Sequence, residues 1–133
     1  MKAGDAFLIK KGLKDTGHLF VVLSDPEKLP DSIFPDRVFL AMLTTKEKWK
    51  EDSCVLKPGD HPFLKHDTVA AFDTPPSLFI TLQQLQTLKD QKWLIDKGEV
   101  SMDVLRRLRE GYANSDYRKD KIYQFLFRQR VID

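Results

Sequence analysis

Gly59-Asp60-His61-Pro62-Phe63-Leu64-Lys65-His66 follows Pro58, carries a second proline behind its first histidine, and lies between two short apolar runs. A Pro-Gly-Asp turn with those flanks reads as an ordered loop joining two strands, residues 53–56 and 68–72. A loop this short leaves no room for a helical crossover, so the strands it joins run antiparallel. Upstream, Ala6-Phe7-Leu8-Ile9 reads as a strand after a Gly-Asp pair. Leu19-Phe20-Val21-Val22-Leu23 is a continuous run of β-formers that suits a strand buried on both faces, with Gly17 closing the loop before it and His18 at its entrance. Arg37-Val38-Phe39-Leu40-Ala41-Met42-Leu43 is a further strand and leads straight into Thr44-Thr45. Residues 25–36, with three prolines and four acidic side chains, read as a surface loop, and residues 46–52 as a charged connection. Five short strands without a helical crossover predict an antiparallel sheet curling into a small barrel.

The pattern changes after Pro76. Leu78-Phe79-Ile80 adds a strand, and Leu82, Leu85 and Leu88 predict a short helical turn after Thr81. Ser101 is placed as an N-cap, with Asp103 in the first turn, Val104, Leu105 and Leu108 on one face, and Gly111 as the C-terminal stop. A last helix is expected from 116 or 119 to 128, with Ile122, Phe125 and Leu126 inward, both helices packing across the sheet. The expectation is a mainly β, α+β chain of one domain, 1–133, with the barrel at about 4–80 and the helical part at about 81–133.

At 133 residues, 41% hydrophobic and 32% charged, the composition is that of a globular protein with no run long enough to span a bilayer. The lone Cys54 cannot form an internal disulfide and no secretory pattern opens the chain, which points to a reducing cytoplasm. A net charge of +2 gives little long-range pull on nucleic acid. Residues 101–133 hold eight Lys or Arg against five Asp or Glu, a local balance of +3 that permits phosphate contacts without demanding them.

Candidate chemistry sits at three places: His18, Thr44-Thr45, and the 59–66 loop with His61 and His66, which together hold all three histidines. No His-x-His, His-Glu-x-x-His or Cys-x-x-Cys spacing occurs, so neither a metal nor a cofactor is expected. For each residue a structural reading stays open beside the functional one. A histidine at a strand start often serves a hydrogen bond, Asp60 suits its own turn, and Pro62 fixes loop shape. Thr44 and Thr45 are ordinary strand residues, Cys54 is a small buried hydrophobe, and Arg106, Arg107 and Arg109 form the solvated face of a helix.

Gly4-Asp5 before the first strand, the 18–24 strand, the Leu43-Thr44-Thr45 strand end and the 101–111 helix resemble, in order and spacing, the MazF/PemK family of toxin endoribonucleases. The likeness implies an SH3-like barrel with C-terminal helices. It also implies a cytoplasmic homodimer that cleaves single-stranded RNA without metal and is restrained by a partner antitoxin. In that family an Arg-Pro pair introduces the second strand and its arginine is catalytic, whereas this chain has His18-Leu19. The family's catalytic threonine falls on Thr44 or Thr45. Cleavage by internal transfer needs a base, an acid and groups that hold the phosphate. An imidazole titrating near about 6.5 serves as base or acid at neutral pH. His18, Thr45, His61 and His66 are therefore the expected catalytic set, with Thr44, Lys46, Asp60 and Lys65 contacting RNA. The rival reading is a non-catalytic SH3-like-barrel module that grips a peptide or nucleic acid in the same groove.

Overall fold

The computed structural model describes residues 2–11, 14–25, 37–47, 52–72 and 79–115. The chain order within them is β1 (Asp5–Lys11), β2 (Lys14–Val22), β3 (Arg37–Thr45), β4 (Val55–Leu56), β5 (Thr68–Ala70), β6 (Phe79–Thr81), α1 (Leu82–Asp90), β7 (Leu94–Glu99) and α2 (Met102–Ala113). Every strand pairing is antiparallel, in the order β4-β5-β3-β2-β1-β7, with β6 paired to residues 37–39 of β3. The class is α+β, mainly antiparallel sheet. The outer strands β4 and β7 do not pair with each other, so among the described residues the sheet is open.

Leu19, Phe20, Val21, Val22 and Leu23 are all buried, as a strand covered on both faces requires. Buried side chains of the central strands, α1 and α2 form one cluster. Tyr112 of α2 meets Phe39 and Phe72 edge-on, with ring centroids 4.7 and 5.2 Å away. At the end of β2 the Leu23 N–H donates to the Phe39 carbonyl at 2.8 Å, and the Phe39 N–H donates to Ser24 Oγ at 2.9 Å. Arg109 Nε donates to the Leu23 carbonyl at 2.9 Å, so the same strand end is tied to α2.

Ser101 caps α2 by accepting the Val104 N–H, and Val104, Leu105 and Leu108 are buried as expected. Gly111 does not stop the helix, which runs through it to Ala113. A Cβ at Gly111 would lie 2.6 Å from Cys54 Cβ and 3.0 Å from the Ser53 carbonyl oxygen, so the glycine lets α2 approach the 53–54 backbone. Thr81 and Gln84 make a reciprocal capping box, which extends the expected turn into the nine-residue α1.

Several boundaries and one element differ from the sequence reading: β1 is longer than 6–9, and β4 and β5 are shorter than 53–56 and 68–72. β2 starts at Lys14, so Gly17 and His18 lie inside the strand and not before it. β7 was not anticipated. Among the described residues it pairs only with β1, with a register shift between Asp5 and Phe7 and a positive φ at Gly98. Its Asp-Lys-Gly-Glu half is exposed and does not alternate, because an edge strand does not need to fill a core on both faces. Residues 26–36 of the expected 25–36 loop, residues 48–51 of the charged connection and the helix expected from 116 or 119 to 128 lie outside the described residues.

Candidate functional site

The groove is made where the end of β3 and the start of β5 meet the middle of β2. β2 and β3 pair Leu19 with Leu43, the chain neighbours of His18 and Thr44, and both of those line the same cavity. β3 and β5 pair Thr44 with Val69 and Thr45 with Thr68, which brings the end of the 57–67 loop against the same edge. The result is a cavity of about 310 Å³ lined by His18, Thr44, Thr45, Lys65, His66 and Thr68, with Leu19, Leu43, Phe63 and Leu64 as its apolar wall. Thr45, Lys65 and His66 are exposed, and His18 and Thr44 half-buried. Five of the eight sequence-predicted site residues therefore share one groove, from positions as far apart in the chain as 18 and 66.

The loop that presents Lys65 and His66 is held at several points. Asp60 accepts the Lys57 N–H at 2.7 Å through Oδ2 and donates its own N–H to the Lys57 carbonyl at 2.9 Å, closing the first turn. Lys57 Nζ lies 2.8 Å from Asp67 Oδ2 across the loop mouth. The Lys46 N–H donates to the Asp67 carbonyl at 2.9 Å, and Thr68 Oγ1 donates to the His66 carbonyl at 2.9 Å. These bonds satisfy main-chain groups the sheet does not reach and fix the loop beside β3.

His61 does not line the groove. It is 6% exposed, and its Nδ1 accepts the Phe63 N–H at 3.1 Å while its Nε2 lies 3.0 Å from the Lys97 carbonyl of β7. A nitrogen that accepts an N–H carries no proton of its own, so Nε2 bears the proton and donates it to Lys97. Both ring nitrogens are thereby engaged, and the ring bridges the loop after β4 to the opposite outer strand. Asp60 is also used elsewhere: its Oδ1 lies 2.7 Å from Arg107 on α2, with both side chains mostly covered. Lys46 is exposed just past Thr45 but does not line the cavity.

The three helical arginines divide. Arg106 stays in solvent between Asp103 at 2.7 Å and Glu110 at 2.9 Å, where it holds the Asp103 carboxyl below its usual range. Arg107 reaches the histidine loop, and Arg109 the end of β2. Burial pushes the Cys54 thiol up to about 11, which keeps it protonated and unreactive, as expected of a small core residue. A second cavity of about 320 Å³ beside β1 and β7 is lined by Asp5, Asp96 and Glu99. Their carboxylates already bind Lys2 N–H, Gly98 N–H and Lys2 Nζ.

Phe63 belongs to the groove wall and was missed in the sequence, where an aromatic between Pro62 and Leu64 looks like loop packing. Among the described residues no group of three His, Cys, Asp or Glu side chains is placed to hold a metal ion, and no helix is long and apolar enough to cross a membrane. Comparison with family models, with curated proteins and with solved structures finds nothing that matches this chain.

Proposed function

We propose that the groove binds single-stranded RNA and cleaves it by internal phosphoryl transfer, with His18 and His66 as the proton-transfer pair. The carrying observation is that His18, Thr44, Thr45, Lys65 and His66 line one cavity although the chain separates them widely. One imidazole takes the proton of a ribose 2′-hydroxyl while that oxygen attacks the adjacent phosphorus. The other, as imidazolium, gives its proton to the departing 5′-oxygen. The products are a 2′,3′-cyclic phosphate and a free 5′-hydroxyl. Lys65 offsets charge on the phosphate, and the Thr45 hydroxyl donates to a phosphoryl oxygen as it gains charge. Thr44 and Lys46 guide the strand along the rim. Asp60 and His61 leave the reacting set, because the first is bound to Arg107 and the second has both nitrogens in use.

The reading treats the chain as a divergent MazF/PemK-type toxin with an SH3-like barrel, in which two histidines take over from the missing Arg-Pro pair. The His61 bridge from the β4 side to β7 supports a sheet that curls toward closure. A cytoplasmic homodimer and an antitoxin with an acidic tail belong to the same proposal.

Wild type, His18→Ala and His66→Ala are incubated with mixed-sequence single-stranded RNA in EDTA and the fragments separated on a gel. Cleavage by wild type alone, leaving cyclic phosphate ends, is the expected result. Well-folded wild type that retains RNA without cutting it would establish the non-catalytic binding module instead. Equal cleavage by all three would remove both histidines from the reaction.

A further inference from the structure

Acid–base chemistry has no use for one part of the groove wall. Phe63 is only half-buried, although the loop around it is fixed: its N–H is held by His61 Nδ1 at 3.1 Å, and the next residue, Leu64, is buried with its N–H on the His61 carbonyl at 3.0 Å. Lys97 Nζ stands 5.9 Å from the ring centroid and does not line the cavity. A phenyl ring that forgoes part of its burial on the apolar side of a groove whose other side carries hydroxyls and basic groups gains from a flat apolar ligand.

We infer that Phe63 is the platform on which one unpaired base of the bound strand stacks, with the adjoining phosphate at Lys65, His18 and His66. The inference rests on the RNA reading of the groove and names the part of the nucleotide that supplies affinity. Size supports it: about 310 Å³ is at the lower end of ligand cavities, which run from about 300 to 1,000 Å³, and suits one nucleotide. The chemistry supports it too, since an aromatic face next to cationic and hydroxyl groups matches a base joined to a phosphate. Stacking on a side chain requires a base already out of its helix, so the site selects single strands. Purines, with the larger face, stack better than pyrimidines.

Binding is measured separately from cleavage with fluorescein-labelled 2′-deoxy oligonucleotides, which lack the attacking hydroxyl. Anisotropy is recorded for wild type, Phe63→Leu and Phe63→Tyr with an adenine hexamer, a cytosine hexamer and an abasic hexamer. Phe63→Leu is expected to bind the adenine hexamer roughly tenfold more weakly, the magnitude of one lost base stack, while Phe63→Tyr stays within about twofold. Wild type should bind adenine more tightly than cytosine, and wild type and Phe63→Leu should bind the abasic hexamer alike. Equal adenine binding by wild type and Phe63→Leu overturns the platform, as does an equal loss on the abasic hexamer, which would mean a general change of loop shape. Wild type that binds the adenine hexamer through Phe63 but never cuts RNA keeps the platform and removes the ribonuclease. RNA cleavage with adenine binding indifferent to Phe63 does the reverse.

Discussion

The first half of the loop between β4 and β5 and its second half each contain a histidine, five residues apart, and the two rings have opposite surroundings. His61 is enclosed, with one nitrogen on Phe63 and the other on Lys97, while its neighbour Asp60 holds Arg107. His66 is exposed in the groove beside Lys65, and the bond recorded there is made by its carbonyl. The first half spends its polar atoms on the fold and gains a fixed position. The second half borrows that position and keeps its side chains turned toward the groove. A residue type therefore says little about role until its partners are known, and two histidines on one loop can divide into an anchor and a reagent.

The sharpest way to break this division is to exchange the consequences of removing each ring. His66→Ala should lower RNA cleavage by a factor of about 100 or more, the usual contribution of a positioned acid or base, while denaturant stability changes by less than about 0.5 kcal/mol. Unchanged cleavage in that variant would return His66 to the surface and end the contrast. His61→Ala should show the opposite pattern in the same denaturant titration, losing about 2–4 kcal/mol because the Phe63 N–H and Lys97 carbonyl lose their partner inside a new cavity. A loss near zero would mean that water replaces the ring and that the anchor is not one.

Smaller changes refine the buried side of the comparison. Gly111→Ala should cost about 1–3 kcal/mol, since its Cβ would meet Cys54 and the Ser53 backbone and push α2 away from the start of the loop. Asp60→Ala should cost about 1 kcal/mol, read by the same titration, through loss of the Arg107 contact and of the Lys57 N–H acceptor. Cys54 gives the smallest effect, visible only against pH. Burial raises its folded thiol from the ordinary 9.0 to about 11, so below 9.0 both states keep the proton and the thiol adds no pH dependence. Between those values the unfolded chain releases its proton and the folded one does not, and stability falls as pH rises. Cys54→Ala should flatten that part of the stability curve, and an unchanged slope would argue against a buried thiol.

Strands with strong apolar runs could be read without a structure. Residues 19–23 and 37–43 have too much to bury to lie anywhere but the middle of a sheet, and the Ser101 cap with Val104, Leu105 and Leu108 announces its helix. β7 could not be read this way, because an edge strand carrying Asp96, Lys97 and Glu99 has no face that must be apolar. Gly111 misled for a related reason: in sequence a glycine near a helix end looks like a cap, and only the nearby 53–54 backbone explains one inside the helix.

For the site, the sequence supplied the residue types: three histidines, a threonine pair at a strand end and a lysine next to the last histidine. By itself it determined an antiparallel α+β chain that carries imidazole and hydroxyl groups next to its apolar runs, because hydrophobic period and turn chemistry are local properties. Only the tertiary structure decided that His18, Thr44, Thr45, Lys65 and His66 meet while His61 turns inward to Lys97. That choice depends on strand register and on which backbone groups the sheet leaves unpaired, and both are set by contacts between residues far apart in the chain.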